Sequence, residues 1–162
     1  MNLQQHVSTR SVLIVDDFDV ERACYRRYLS TSSQHDYLFF EAEMGETAFH
    51  LYQLCHPDVI LVEYHLLDSD APELIRKIRE SDSRYSPAII VMAEECKATQ
   101  KMAAQAMRAG AQAYLVKETL TSRTLRATVN RAVDSATLHT QIKQRLATDV
   151  SHVSSMNLTQ LS

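Results

Sequence analysis

Val59-Ile60-Leu61-Val62 is a run of four apolar residues that stops at a carboxylate, Glu63. Pro57 precedes it, and β-branched residues dominate it. Such a run has no polar face, so it reads as a strand buried on both sides. That restricts the fold to one whose sheet is covered by a layer on each face. A residue at the C-terminal end of such a strand stands where open parallel sheets place their functional groups. Glu63 is therefore the first candidate site residue.

Similar runs recur along the chain. Ser11–Val15 ends in Asp16-Asp17, Ala88–Met92 ends at Ala93, and Ala113–Val116 is followed by Lys117. Tyr37–Ala42 reads as a fifth strand. Between the strands lie segments with apolar residues at helical spacing. These are Phe18–Leu29, with Asp17 or Asp19 as its N-cap, Gly45–Leu54, Ala71–Arg79 and Lys97–Arg108. Pro72 suits the first turn of the third helix, and Gly110 is a natural stop for the fourth. A last helix begins at Ser122. Strands alternating with helices predict right-handed βαβ units, hence an α/β fold with a doubly wound five-stranded parallel sheet. Only two glycines are present, so several turns must use other residues.

Composition narrows the function classes. With 45% apolar residues, the 162-residue chain can bury a core. A formal net charge of −3 gives no global basic surface, so nucleic acid is not an expected partner. Three scattered cysteines, Cys24, Cys55 and Cys96, argue against a disulfide framework and a zinc site. Residues 1–10 lack the apolar core of a signal peptide, and no run is long enough to span a membrane. A cytoplasmic location without membrane contact is expected. No Ser-His-Asp set and no glycine-rich phosphate loop is present.

Four strand ends carry chemistry: Asp16-Asp17, Glu63, Ala93 and Lys117. In a doubly wound sheet these ends converge on one crevice. Clustered carboxylates raise one another's pKa unless a cation balances them; Lys117 or a divalent ion such as Mg²⁺ would do so.

The chain resembles the receiver domains of two-component response regulators. The resemblance rests on Val-Leu-Ile-Val-Asp-Asp at 12–17, Pro-Asp-Val-Ile-Leu-Val at 57–62 and Gly-Ala-Gln-Ala-Tyr-Leu-Val-Lys at 110–117. It covers about residues 10–135. It implies the flavodoxin-like fold with strand order 2-1-3-4-5. It also implies that Asp16 and Asp17 match an acidic pair that holds Mg²⁺, Lys117 the lysine that pairs with a phosphoryl group, and Tyr114 a switch aromatic. Glu63 stands where the family has its phospho-accepting aspartate, and Ala93 where it has Thr or Ser. Leu67, Ala71 and Glu118 replace the family's usual Pro, Gly and Pro; without proline, the Lys117-Glu118 bond is expected to be trans.

Glutamate moves the carboxylate by one methylene, and misplacement of order 1 Å can cost about 100-fold in rate. Ala93 removes a hydroxyl that would donate to a phosphoryl oxygen. The resemblance thus implies a degenerate receiver, a pseudo-receiver that signals by protein–protein contact and is not an enzyme. It requires no cofactor and binds Mg²⁺ only weakly at Asp16 and Asp17, with Glu63 as a third ligand. Three readings of Glu63 stand at this point: a strand-end carboxylate paired with Lys117, an imitation of the phosphorylated state, and a true phosphorylation site. A phosphorylatable receiver using Glu63 or a neighbour such as Asp68 is the alternative, as is the regulatory module of a larger sensor kinase or output enzyme.

Leu125, Val129, Val133, Ala136, Ile142, Leu146 and Val150 keep helical spacing past the point where a domain-packing helix would end. Residues 136–150 are expected to project and to pair with a second copy or lead to an output domain. Residues 151–162 read as a disordered tail.

Overall fold

The structure, a computed structural model, describes residues 8–31, 34–81 and 85–159, with 152–159 as backbone only. Five strands alternate with five helices: β1 (Ser8–Val15), α1 (Asp19–Ser30), β2 (His35–Ala42), α2 (Gly45–Cys55), β3 (Val59–Glu63), α3 (Ala71–Ser81), β4 (Ala88–Ala93), α4 (Thr99–Ala109), β5 (Ala113–Val116) and α5 (Ser122–Thr159). The sheet is parallel throughout, in the order β2-β1-β3-β4-β5. Its centre is the apolar runs themselves. Val12 pairs with Val59, Val59 with Ala88, and Ile90 with Ala113.

Alternate side chains of a strand point to opposite faces, and the core divides accordingly. Leu13, Val15, Ile60, Val62, Ile89 and Val91 face one layer, built from Ala48, Tyr52, Leu74, Ile75, Ile78, Met102 and Ala106 of α2, α3 and α4. Val12, Ile14, Val59, Leu61, Ile90 and Met92 face the other, built from Tyr25 and Leu29 of α1 and Leu125, Val129, Ala132 and Ala136 of α5. The absence of a polar face in each run is thus the direct cause of the three-layer sandwich.

Several element ends differ from expectation. β1 and β2 start earlier, at Ser8 and His35, because their ladder continues through polar residues that carry no apolar signal. Neither Asp17 nor Asp19 caps α1. Phe18 occupies the N-cap without a side-chain bond, and Asp16 instead accepts the Phe18 amide at 2.9 Å. α4 begins at Thr99, since the Thr99 hydroxyl closes a turn with Cys96. Gly110 does end α4, at φ 115°. His56 ends α2 in the left-handed region, at φ 45°, with its amide donating to Tyr52. This is one of the turns that a glycine-poor chain must make with another residue.

α5 is 38 residues long. Its first part, to Ala136, packs on the sheet, and the rest carries exposed Leu138, Ile142, Leu146 and Val150. The helix runs to Thr159, and no Pro or Gly interrupts it. Residues 160–162 lie outside the described residues.

Candidate functional site

The four functional strand ends do meet. Asp16 follows β1, pinned by its amide to the Ala42 carbonyl at 3.1 Å. Glu63 closes β3 opposite Met92, and Ala93 closes β4 opposite Val116. Lys117 follows β5 and opens a single 3-10 turn, Lys117–Thr119. No cis peptide occurs among the described residues, so the Lys117-Glu118 bond is trans, as its lack of proline requires.

Lys117 is the centre of the arrangement. Its ammonium donates to Asp16 Oδ2 at 3.0 Å and forms an ion pair with Glu63 Oε2. Asp16 is wholly buried and Glu63 nearly so, so both charges depend on these partners. The other Asp16 oxygen accepts the Phe18 amide, and Glu63 Oε1 faces the His65 amide at 3.4 Å. Arg22, reaching up from α1, donates to the Asp16 carbonyl at 2.7 Å and to Glu41 at 3.1 Å. Burial pushes the Glu63 carboxyl above the usual glutamate range, against the pull of Lys117 and the His65 amide. Burial would lower the Lys117 ammonium, but its bonds to Glu63 and Asp16 hold it above the usual lysine value.

A cavity of about 340 Å³ opens beside this triad, lined by Asp17, Phe18, His65, Glu94, Glu95 and Met102 among others. Asp17 thus faces the cavity while Asp16 faces Lys117. Asp16, Asp17 and Glu63 offer the oxygen donors that Mg²⁺ takes. As arranged they do not fit a divalent ion. The ammonium holds one oxygen of Asp16 and one of Glu63, and no three His, Cys, Asp or Glu side chains converge on a point among the described residues.

Ala93 is fully buried and brings no hydroxyl to the crevice. Tyr114 on β5 lies edge-to-face with Tyr64 at 6.4 Å. Its hydroxyl is buried without a hydrogen-bond partner among the described residues, and burial together with Cys96, Tyr64 and Glu63 pushes it up to about 12. Asp68, the alternative acceptor, is not in the crevice. Its two oxygens accept the amides of Gly45 at 2.7 Å and Glu46 at 3.0 Å, capping α2 from another loop. Slight burial opposes, yet those amides hold its carboxyl below the usual aspartate range. This cap was not legible in the sequence, nor was the part of Glu94, Glu95 and His65 in the cavity wall, since no spacing rule brings them to Glu63.

Comparisons with known proteins give the family and the fold. Residues 12–130 match the model of the response regulator receiver domain. The chain belongs to the response-regulator receiver family. It is 34% identical over 107 residues to the regulatory protein AtoC of Escherichia coli K12, covering 65% of this chain and 22% of that protein. It is 31% identical over 122 residues to the transcriptional regulatory protein YdfI of Bacillus subtilis 168, covering 75% of this chain and 54% of that one. The chain therefore spans only part of the length of these relatives. Two solved response-regulator structures share the fold. A LuxR-family two-component response regulator from Aurantimonas superposes with a TM-score of 0.69 at 24% identity, covering 79% of this chain and 87% of that one. The chemotaxis response regulator CheY4 of Vibrio cholerae gives 0.66 at 22%, covering 77% and 99%. The receiver sheet order and the long final helix are both present in the structure. Among the described residues no helix is long and apolar enough to cross a membrane.

Proposed function

We propose that this receiver signals without aspartyl phosphorylation. One observation carries the reading: Lys117, the residue that resembles the family's phosphate-pairing lysine, is bound to Asp16 and Glu63 together. The longer arm of Glu63 reaches the ammonium directly and supplies the negative charge that a phosphoryl group would bring. It is a reduced copy, with less charge and fewer acceptors than a phosphoryl group. Ala93 has no hydroxyl to follow a phosphoryl oxygen inward, so the coupling to Tyr114 is missing and Tyr114 serves as a packed edge aromatic. The domain is held in one conformation and acts as a cytoplasmic protein-interaction module, without nucleic-acid contact and without enzymatic turnover. Its binding partners are a signalling protein or a fused output domain, and a second copy of itself through the projecting half of α5.

No cofactor is required in this reading. Mg²⁺ would be held by Asp16 and Asp17, with Glu63 as a third ligand. It would have to displace Lys117 from two carboxylates, which makes the binding weak. The division of the chain follows: 10–135 as the receiver body, and the helix beyond it as the coupling element.

The test is incubation with Mg²⁺ and a small phosphodonor, or with beryllofluoride, read by intact-mass spectrometry and fluorine NMR. The expected outcome is an unmodified protein with no bound fluoride. A stable phosphoprotein, or a fluoride adduct at Glu63, would overturn the reading in favour of a phosphorylatable receiver.

A further inference from the structure

Pairing of β4 with β5 ends at Ala93 and Val116. Two residues past that point the connections after these strands are still joined. Glu118 reaches back from the trans Lys117-Glu118 bond, and its carboxylate accepts the Glu95 amide at 2.9 Å. A carboxylate is a stronger acceptor than a neutral oxygen. Proline, which the family usually has at this position, carries no side-chain acceptor at all.

Residues 94–98 link β4 to α4, and Glu94, Glu95 and Cys96 form one wall of the crevice. Their other bonds are local. The Cys96 amide donates to the Thr99 hydroxyl at 2.9 Å, the Thr99 amide donates to the Cys96 carbonyl at 3.1 Å, and the Cys96 thiol lies 3.6 Å from the Met102 sulfur. Glu94, Glu95 and Lys97 form no ion pair among the described residues. Among the described residues, the Glu118 carboxylate is thus the one hydrogen-bond partner that ties this loop to anything beyond itself and α4.

Lys117 and Glu118 share a single 3-10 turn, closed by the Leu120 amide on the Lys117 carbonyl at 3.1 Å. Their side chains hold different walls of the crevice. Lys117 gathers Asp16 after β1 and Glu63 at the end of β3, while Glu118 gathers the loop after β4. The planar peptide between them leaves little freedom to move one without the other.

We propose that Glu118 is a strap: it holds the β4–α4 loop against the crevice, and through its shared turn with Lys117 it makes that loop and the buried triad one mechanical unit. An anion that draws off Lys117 then loosens the loop and the first turn of α4. A partner that lifts the loop weakens the grip of Lys117 by the same free energy. The strap acts on a loop to which Glu63 makes no hydrogen bond among the described residues. It therefore goes beyond the proposed function and holds whether or not Glu63 accepts a phosphoryl group.

The experiment is amide hydrogen exchange of the full chain, followed residue by residue by NMR, for the parent, Glu118→Ala, Glu118→Gln, Lys117→Met and Lys117→Arg. The amides of Val12–Val15 and Val59–Val62 report whether each variant keeps its sheet. In Glu118→Ala the Glu95 amide should exchange about tenfold faster, the equivalent of one hydrogen bond. Glu118→Gln keeps an acceptor oxygen without the charge, and should stay within about threefold of the parent. Lys117→Met, or Lys117→Arg if the first loses its sheet, leaves Glu118 in place and should still speed the Glu95 amide about threefold. Parent-like exchange at Glu95 in Glu118→Ala, or equal acceleration in Glu118→Gln, would overturn the strap. A Lys117 variant with an intact sheet and parent-like exchange at Glu95 would overturn the coupling to the triad. Neither result bears on phosphorylation, which the beryllofluoride test reads separately.

Discussion

Lys117 carries one positive charge between two carboxylates, so removing the cation and removing one anion should have unequal effects. Without the ammonium, Asp16 and Glu63 become buried neighbours of like charge. Breaking a buried pair from one side costs about 3 kcal/mol or more, so Lys117→Met should lower the unfolding free energy by about 3 kcal/mol in urea titrations at neutral pH. Glu63→Gln leaves Lys117 with Asp16 and removes a carboxylate that burial already disfavours. It should cost far less. Equal losses would show that Glu63, not Asp16, is what holds the lysine. The pH dependence has a defined sign. Lys117 is held above its ordinary 10.5, so its contribution is fully present below that value and is lost as pH rises through the folded-state value. Glu63 is held above its ordinary 4.5, so its contribution is full below 4.5 and is lost as pH rises through its own folded value. Both steps run toward alkali. Glu63→Gln should therefore abolish the loss of stability that begins above 4.5 and weaken the alkaline step from Lys117, which keeps Asp16 alone as its partner.

At the scale of elements, the strands were legible because burial on both faces leaves an unmistakable apolar run, and four of those runs end in the site. Helix ends were less legible, as α1 shows: of its two expected caps, Asp17 lines the cavity and Asp19 is the first helical residue, which leaves Phe18 at the N-cap. Contacts made across long separations left no local signal. Asp68 caps α2 from 23 residues away. Arg79 of α3 donates to the Gly110 carbonyl 31 residues on, and also to Pro87, Ser86 and Gln112, with no carboxylate among its partners among the described residues. It ties the end of α3 to the starts of β4 and β5 at the edge of the sheet opposite the crevice. Burial lowers its pKa, yet a guanidinium stays charged and fills all these acceptors with one rigid fork. Lysine has the charge but neither the fork nor enough donors. Arg79→Lys should cost about 2 kcal/mol, measured as a fall in the urea midpoint with an unchanged slope. A loss below about 0.5 kcal/mol would place the residue among ordinary surface substitutions.

For the whole molecule, the crevice is joined by a short connection to the start of α5, the helix whose far half projects. Lys117–Thr119 is one turn, and α5 starts at Ser122. Whatever fixes Lys117 therefore also fixes the root of α5. In a phosphorylated receiver that restraint would come and go. In the proposed reading Glu63 supplies it permanently, so the parent chain should not respond to phosphate analogues. Restoring the family's residues should restore the response. Glu63→Asp withdraws the carboxylate from the ammonium by one methylene and frees Lys117 for an incoming anion. Ala93→Ser returns a hydroxyl with one added atom at a fully buried position. The double variant should bind beryllofluoride with Mg²⁺, and a ligand present at about a hundred times its dissociation constant stabilises by about 2.7 kcal/mol. For a chain of this size, that raises the melting temperature by roughly 5–10 °C. The parent should shift by less than about 1 °C under the same conditions. Each single variant should fall short of the double, because the anion needs the vacated ammonium and the hydroxyl donor at once. A double variant that ignores beryllofluoride would mean that the trans Lys117-Glu118 loop, and not the length of one side chain, is what closed this crevice to phosphate.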